Sequence, residues 1–258
     1  MSDSALNSSP KIGITIGDIN GIGPEVIIKV LKDNRLTKYI TPIIYGSTKV
    51  LSYYRKSLHL EDFQYSQIKG DQRANPKKVN VVNCWDEMVE IEAGADKKEA
   101  GEAALKSLQR ASDDLKNGII DAVVTAPINK INIQSDSFDF PGHTEFFTSI
   151  ANADDSLMLM VSENLRIGVA TGHVPLNQVS ESISPDLLKS IFNILLDSLK
   201  KDFGIGKPRI AVLGLNPHAG EEGLLGAEEN DLIRPVVKEF KNKGNLVFGP
   251  FPADGFFG

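Results

Sequence analysis

A chain of 258 residues that is 41% hydrophobic and 24% charged has the make-up of a folded globular protein, which excludes a collagen-like or broadly disordered one. Its 28 Lys and Arg against 34 Asp and Glu leave a formal charge of -6, which argues against a general nucleic-acid binder while leaving room for a locally positive site for a phosphorylated small molecule. The single cysteine, Cys84, cannot form an intrachain disulfide, the Ser-rich start lacks a signal-peptide apolar stretch, and no apolar run approaches the ~20 residues of a membrane helix. A soluble, cytoplasmic protein with no membrane or nucleic-acid partner is expected.

Residues 1–10 read as a loose tail. Lys11–Gly17 is a β-branched run that predicts a strand, and Pro24–Leu31 predicts a helix with proline in its first turn and Glu25 at the positive end of the dipole. Ile40–Tyr45 predicts a second strand and Thr48–Leu58 a second helix. Glu61–Val79 is polar and carries no clear period. Val79–Val82 predicts a strand. Glu99–Asn117 predicts the clearest helix, with Ala104, Leu108, Ala111 and Leu115 at three- and four-residue steps and Gly118 as its stop. Ile119–Thr125 predicts a buried strand. Leu157–Val161 and Leu165–Ala170 flank Ser162-Glu163-Asn164 as a hairpin would. Ser184-Pro185-Asp186 starts a helix whose apolar face is Leu188, Ile191, Leu195 and Leu199. Arg209–Leu215 predicts a strand, Asn230–Lys241 a helix bent or delayed by Pro235, and Gly244–Phe248 the start of one more strand. Alternating strands and helices indicate an α/β fold. The boundary of two domains is placed in the polar stretch Ile128–Pro141, giving 11–135 and 136–258.

The residues that carry chemistry fall in loops after these strands. Gly17–Glu25 (GDINGIGPE) joins the first strand to the first helix. It departs from the dinucleotide fingerprint, whose third glycine would fall at Val26, and reads equally as a tight turn or an anion-binding loop. Three of the four histidines lie in Gly- and Pro-rich loops: His143 in Pro141–Glu145, His173 in Thr171–Leu176 and His218 in Asn216–Glu221. Ligands of open α/β sheets bind beyond the carboxyl ends of strands, so His173 and His218 can share one site. Imidazole serves there as a metal ligand or a proton carrier, or bonds a loop carbonyl. Lys130 is a candidate partner for a phosphate or carboxylate, or an exposed loop lysine. Asp254 orients a ligand or serves the turn. Cys84 reads as an inert buried thiol and His59 as a surface residue.

Five loops in order, Gly17-Asp18 to Gly21-Ile22-Gly23-Pro24-Glu25, Thr125–Lys130, Pro141–Glu145, Asn216–Glu221 and Gly249-Pro250 to Pro252-Ala253-Asp254, closely resemble the 4-hydroxythreonine-4-phosphate dehydrogenase family of vitamin B6 biosynthesis. The resemblance runs from about Lys11 to Gly258. It implies an α/β/α layered two-domain fold like the isocitrate and isopropylmalate dehydrogenases, with the active-site cleft between domains. It implies a homodimer with a shared active site, and oxidation of 4-phosphooxy-L-threonine by NAD or NADP with a divalent metal (Zn, Mg or Co). It places His173 and His218 as metal ligands and His143 with Thr144 as a substrate-contacting pair. No general base is assigned.

The same resemblance marks three departures. The family's third metal histidine, in a Tyr-His-Asp-Gln-Gly type motif after the Pro-Ala-Asp loop, and further substrate-binding Lys, Asn and Arg positions are expected beyond Gly258, so the chain as given is expected to be truncated, with reduced or no activity. Ile19 stands where the family often has proline. Relatives acting on phosphorylated threonate or erythronate, or on dihydrodiol dicarboxylates, share many of these motifs. A non-catalytic binding protein on the same fold is the other alternative.

Overall fold

The computed structural model of the chain describes residues 9–33, 35–69 and 72–258. The tail expected over 1–10 lies, through residue 8, outside the described residues. The chain divides into two compact units between Asn152 and Ala153. That division falls after the sequence boundary at 135/136. Phe138 and Phe146 pack with Ala104, Leu105, Leu108 and Ile133 in one apolar cluster, and this aromatic burial ties the stretch to the first unit.

The first unit is built on five parallel strands: β1 (Lys11–Thr15), β2 (Thr41–Gly46), β3 (Tyr65–Ile68), β4 (Val79–Asn83) and β5 (Ala122–Thr125), in the order β3-β4-β2-β1-β5. Successive side chains leave opposite faces of a strand, and the clusters follow that rule. Ile44 and Val81 join Ile27 and Ile28 of α1 (Gly23–Leu31) and Val50 and Leu51 of α2 (Thr48–Ser57). Ile43, Tyr45 and Val82 instead join Ala111 of α3 (Lys98–Lys116). Helices therefore cover both faces, and the near-continuous apolar run of β2 is buried at every position. β5 departs from the expected buried strand over Ile119–Thr125. It is the sheet edge, paired with β1 alone, and Val124 is 55% exposed. β3, the other edge, lies in the polar stretch where the sequence shows no period. The short helix α4 (His143–Ile150) closes the unit.

The second unit opens with the antiparallel hairpin β6 (Leu159–Val161) and β7 (Arg166–Gly168), followed by the single turn α5 (Val179–Ser182). The long helix α6 (Pro185–Lys201) begins where Ser184 Oγ accepts the Leu187 N–H at 3.2 Å. Its predicted face, Leu188, Ile191, Leu195 and Leu199, is buried against Ile210, Val236, Val237 and Phe240. β8 (Arg209–Leu213) and β9 (Leu246–Phe251) pair in parallel around α7 (Arg234–Asn242). Pro235 lies where a π-helical turn, Glu229–Ile233, runs directly into α7, so the proline coincides with an irregularity inside one continuous helical run.

Candidate functional site

β1 and β5 are parallel neighbours, so their carboxyl ends release two loops side by side. Ala126 N–H donates to the Thr15 carbonyl at 3.1 Å and Asp18 N–H to the Pro127 carbonyl at 3.0 Å. Gly17, at φ +70°, is required here, because a Cβ would overlap the Pro127 carbonyl oxygen. Inside the loop, Asp18 Oδ1 accepts the Asn20 N–H at 2.8 Å. The buried Asn20 amide donates to the Ala95 carbonyl at 3.2 Å and accepts the Glu92 N–H at 2.9 Å. Ile19 is fully buried and its carbonyl accepts the Tyr54 hydroxyl at 2.7 Å. The polar side chains of this loop thus hold a turn in shape, and burial of Ile19 stiffens it where the family resemblance expects proline.

Further along the same unit, α4 starts at Gly142 with no side-chain cap. Lys130 reaches this helix start: a Cβ on Gly142 would lie 4.0 Å from Lys130 Nζ and 3.6 Å from Glu145 Oε2. His143 is half-buried and its Nε2 is buried without a hydrogen-bond partner. Burial first, and the Lys130 charge second, hold the His143 imidazole below its ordinary pKa. Thr144 is exposed beside it. A cation, an uncapped helix start, a neutral imidazole and a hydroxyl collected in one place suit a phosphate or carboxylate. Lys130 is exposed, and the Glu145 carboxylate shares this helix start with it.

In the second unit His173 lies beyond β7 and His218 beyond β8, both exposed and both at positive φ (+55° and +54°). His218 opens an unusual stretch in which Ala219, Gly220, Glu221 and Glu222 also have φ between +44° and +78°. The left-handed region costs an L-residue roughly 1–2 kcal/mol, so such a run persists only where its surroundings fix it. One fixing contact is Asp254. Its Oδ1 accepts the His218 N–H at 3.1 Å and its Oδ2 lies 2.7 Å from His218 Nδ1. Hydrogen bonds from its own N–H, from the His218 N–H and from the ring hold the Asp254 carboxyl below its ordinary pKa. A carboxylate on Nδ1 leaves Nε2 as the free lone pair of a neutral ring, the usual arrangement behind a metal-binding histidine.

The His218 imidazole, oriented by a carboxylate, has the chemistry of a divalent-cation ligand. Imidazole donors in general suit zinc or cobalt better than magnesium, which prefers oxygen ligands. Among the described residues no group of three or more His, Cys, Asp or Glu side chains is placed to hold a metal ion. Cys84 is a free thiol that burial pushes up to about 12, matching the inert reading, and His59 is exposed. The sequence did not single out Glu229, a carboxylate 1% exposed in the π-helical turn. Nothing in the sequence marks it, because it lies in the polar run Glu228-Glu229-Asn230-Asp231.

Residues 38–258 match the family described as pyridoxal phosphate biosynthetic protein PdxA. The 4-hydroxythreonine-4-phosphate dehydrogenase of Bacteroides thetaiotaomicron is 46% identical over 249 residues, 96% of this chain and 68% of that protein. A protein of Oceanobacillus iheyensis provisionally named D-threonate 4-phosphate dehydrogenase is 34% identical over 256 residues, 98% of this chain and 76% of that protein. The crystal structure of 4-hydroxythreonine-4-phosphate dehydrogenase from Klebsiella pneumoniae superimposes with a TM-score of 0.83 at 31% identity, covering 97% of this chain and 76% of that one.

Proposed function

Because this chain belongs to the family of pyridoxal phosphate biosynthetic protein PdxA, we propose that it oxidises 4-phosphooxy-L-threonine with NAD or NADP to 2-amino-3-oxo-4-phosphooxybutanoate. That product is a β-keto acid and loses carbon dioxide to give 3-amino-2-oxopropyl phosphate, a step in the synthesis of pyridoxal phosphate. The single observation that carries the site assignment is Asp254 holding Nδ1 of His218, which turns Nε2 outward as a ligand.

In this reading His173 and His218 hold a divalent cation. When bound, that cation stabilises negative charge on the substrate hydroxyl oxygen while hydride leaves the same carbon for the nicotinamide. His143 and Thr144 contact the substrate, and Lys130 with the uncapped start of α4 binds its anionic groups and fixes their orientation. The low pKa of His143 keeps that imidazole neutral, so it accepts or donates one hydrogen bond without adding a second positive charge beside Lys130. The two units are of a fold like the isocitrate and isopropylmalate dehydrogenases, and the active enzyme is a homodimer.

The test is NADH formation from 4-phosphooxy-L-threonine at saturating zinc or cobalt, with and without a chelator. Chelator-sensitive formation of NADH is expected. Faster turnover of D-threonate 4-phosphate would favour the second reading, which the 34% identical Oceanobacillus relative supports. No NADH from either substrate at saturating metal would overturn the dehydrogenase reading for this chain.

A further inference from the structure

The turn that carries His218 has a second anchor besides Asp254. Asn216, two residues earlier, donates its backbone N–H to Glu229 Oε1 at 2.7 Å and its side-chain Nδ2 to Glu229 Oε2 at 2.9 Å. The same Nδ2 donates to Glu228 Oε2 at 2.7 Å. Glu229 is 1% exposed, and among the described residues no Lys or Arg forms an ion pair with it. Burying a carboxylate without a counter-ion is costly unless its hydrogen bonds do something an apolar side chain cannot.

The geometry shows what that is. Both carboxylate oxygens receive an N–H from one residue, so the acceptor must be acceptor-only at both ends. Glutamine would present an NH₂ to one of those donors. The chain also leaves room for the clamp. A Cβ on Gly220 would come within 2.7 Å of Glu229 Oε2, and one on Gly214 within 3.1 Å of Oε1. The left-handed run starts two residues after the clamp and its first member is His218. Fixing Asn216 therefore fixes where the His218 ring begins, and Asp254 meets that ring from the other side.

We infer that Glu229 is a positioning residue: by clamping Asn216 it holds the left-handed turn where Asp254 receives the His218 Nδ1–H, so that the Nε2 lone pair faces outward. The use made of that lone pair rests on the dehydrogenase reading; the positioning itself does not.

The experiment is nitrogen NMR of the histidine side chains in the metal-free 258-residue chain, at a pH where the rings are neutral. Wild-type His218 is expected as predominantly the Nδ1–H tautomer. In Glu229→Gln it is expected to shift to predominantly the Nε2–H tautomer, the form a free histidine side chain favours. A folded Glu229→Gln chain that keeps the Nδ1–H tautomer would overturn the inference and leave Glu229 a purely structural group. Should Glu229→Gln not fold, Asn216→Ala, which deletes the side-chain half of the clamp, is read the same way. A tautomer shift in it supports the inference and an unchanged tautomer overturns it. Neither metal nor nicotinamide enters this measurement, so its failure is distinct from failure to form NADH.

Discussion

At Gly220 the backbone sits at φ +78°, and a Cβ would meet Glu229 Oε2 at 2.7 Å and the Gly226 carbonyl at 2.9 Å. Gly220→Ala combines a disfavoured dihedral with a collision against a buried carboxylate. It is expected to cost about 2–3 kcal/mol, read as a lower urea midpoint with an unchanged slope. His143 makes a different kind of prediction. Its pKa in the folded chain lies below the ordinary value through burial and the Lys130 charge. The unfolded chain therefore binds the proton at a pH where the folded chain does not. The stability linked to His143 is complete above the ordinary imidazole pKa and declines as pH falls through that value toward the depressed one. Lys130→Met removes the second cause. The His143 midpoint, followed by proton NMR, is expected to move up toward the ordinary value, and an unchanged midpoint would place Lys130 out of reach of the ring.

Among the elements, α6 was legible almost residue for residue. Its cap, its proline, its first-turn acid and its four-residue apolar stripe all point the same way, and Ser184, Leu188, Ile191, Leu195 and Leu199 stand where the pattern puts them. Ser184→Ala is expected to cost about 1 kcal/mol, seen in the same denaturant titration, because the Leu187 N–H loses its acceptor. The disturbance at Pro235 was legible too, as an irregular π-helical turn rather than a delayed start, since the helical run begins before it. The two sheet edges were not. β3 carries Tyr65 and Ile68 among polar residues because one of its sides faces no neighbour, and β5 looks like a buried parallel strand yet ends the sheet. Apolar runs report how hydrophobic a strand is, and the number of its neighbours is a tertiary fact. His143, His173 and His218 stood out in the sequence by their Gly- and Pro-rich loops. Glu229 stayed hidden, because its importance lies in an Asn216 contact thirteen residues away in sequence and in two glycines that make room for it.

On the scale of the whole chain, two apolar cores stand behind the two units, one around the five-stranded sheet and one between α6, α7, β8 and β9. Residues 151–156 join them and are exposed at every position. Asp154 and Asp155 offer a cleavage site there for a protease that cuts before aspartate. Limited digestion under native conditions is expected to nick the chain first in this stretch and leave two resistant fragments, identifiable by intact mass. Early cuts inside either core would mean that the units are not independently compact. The sequence placed this boundary in the preceding loop, where polarity rises. The aromatic cluster of Phe138, Phe140, Phe146 and Phe147 moves it, because side chains rather than loop composition decide which core a segment joins.

The run of positive φ at His218, Ala219, Glu221 and Glu222 is, in stereochemical terms, backbone drawn in a mirror. A D-amino acid relaxes in the region where an L-residue is strained. A chain assembled by chemical ligation with D-alanine at position 219 would carry the same methyl group on a stereocentre that prefers the path this turn already takes. Inverting a stereocentre ordinarily damages a folded protein; here the inverted centre would be the one that belongs.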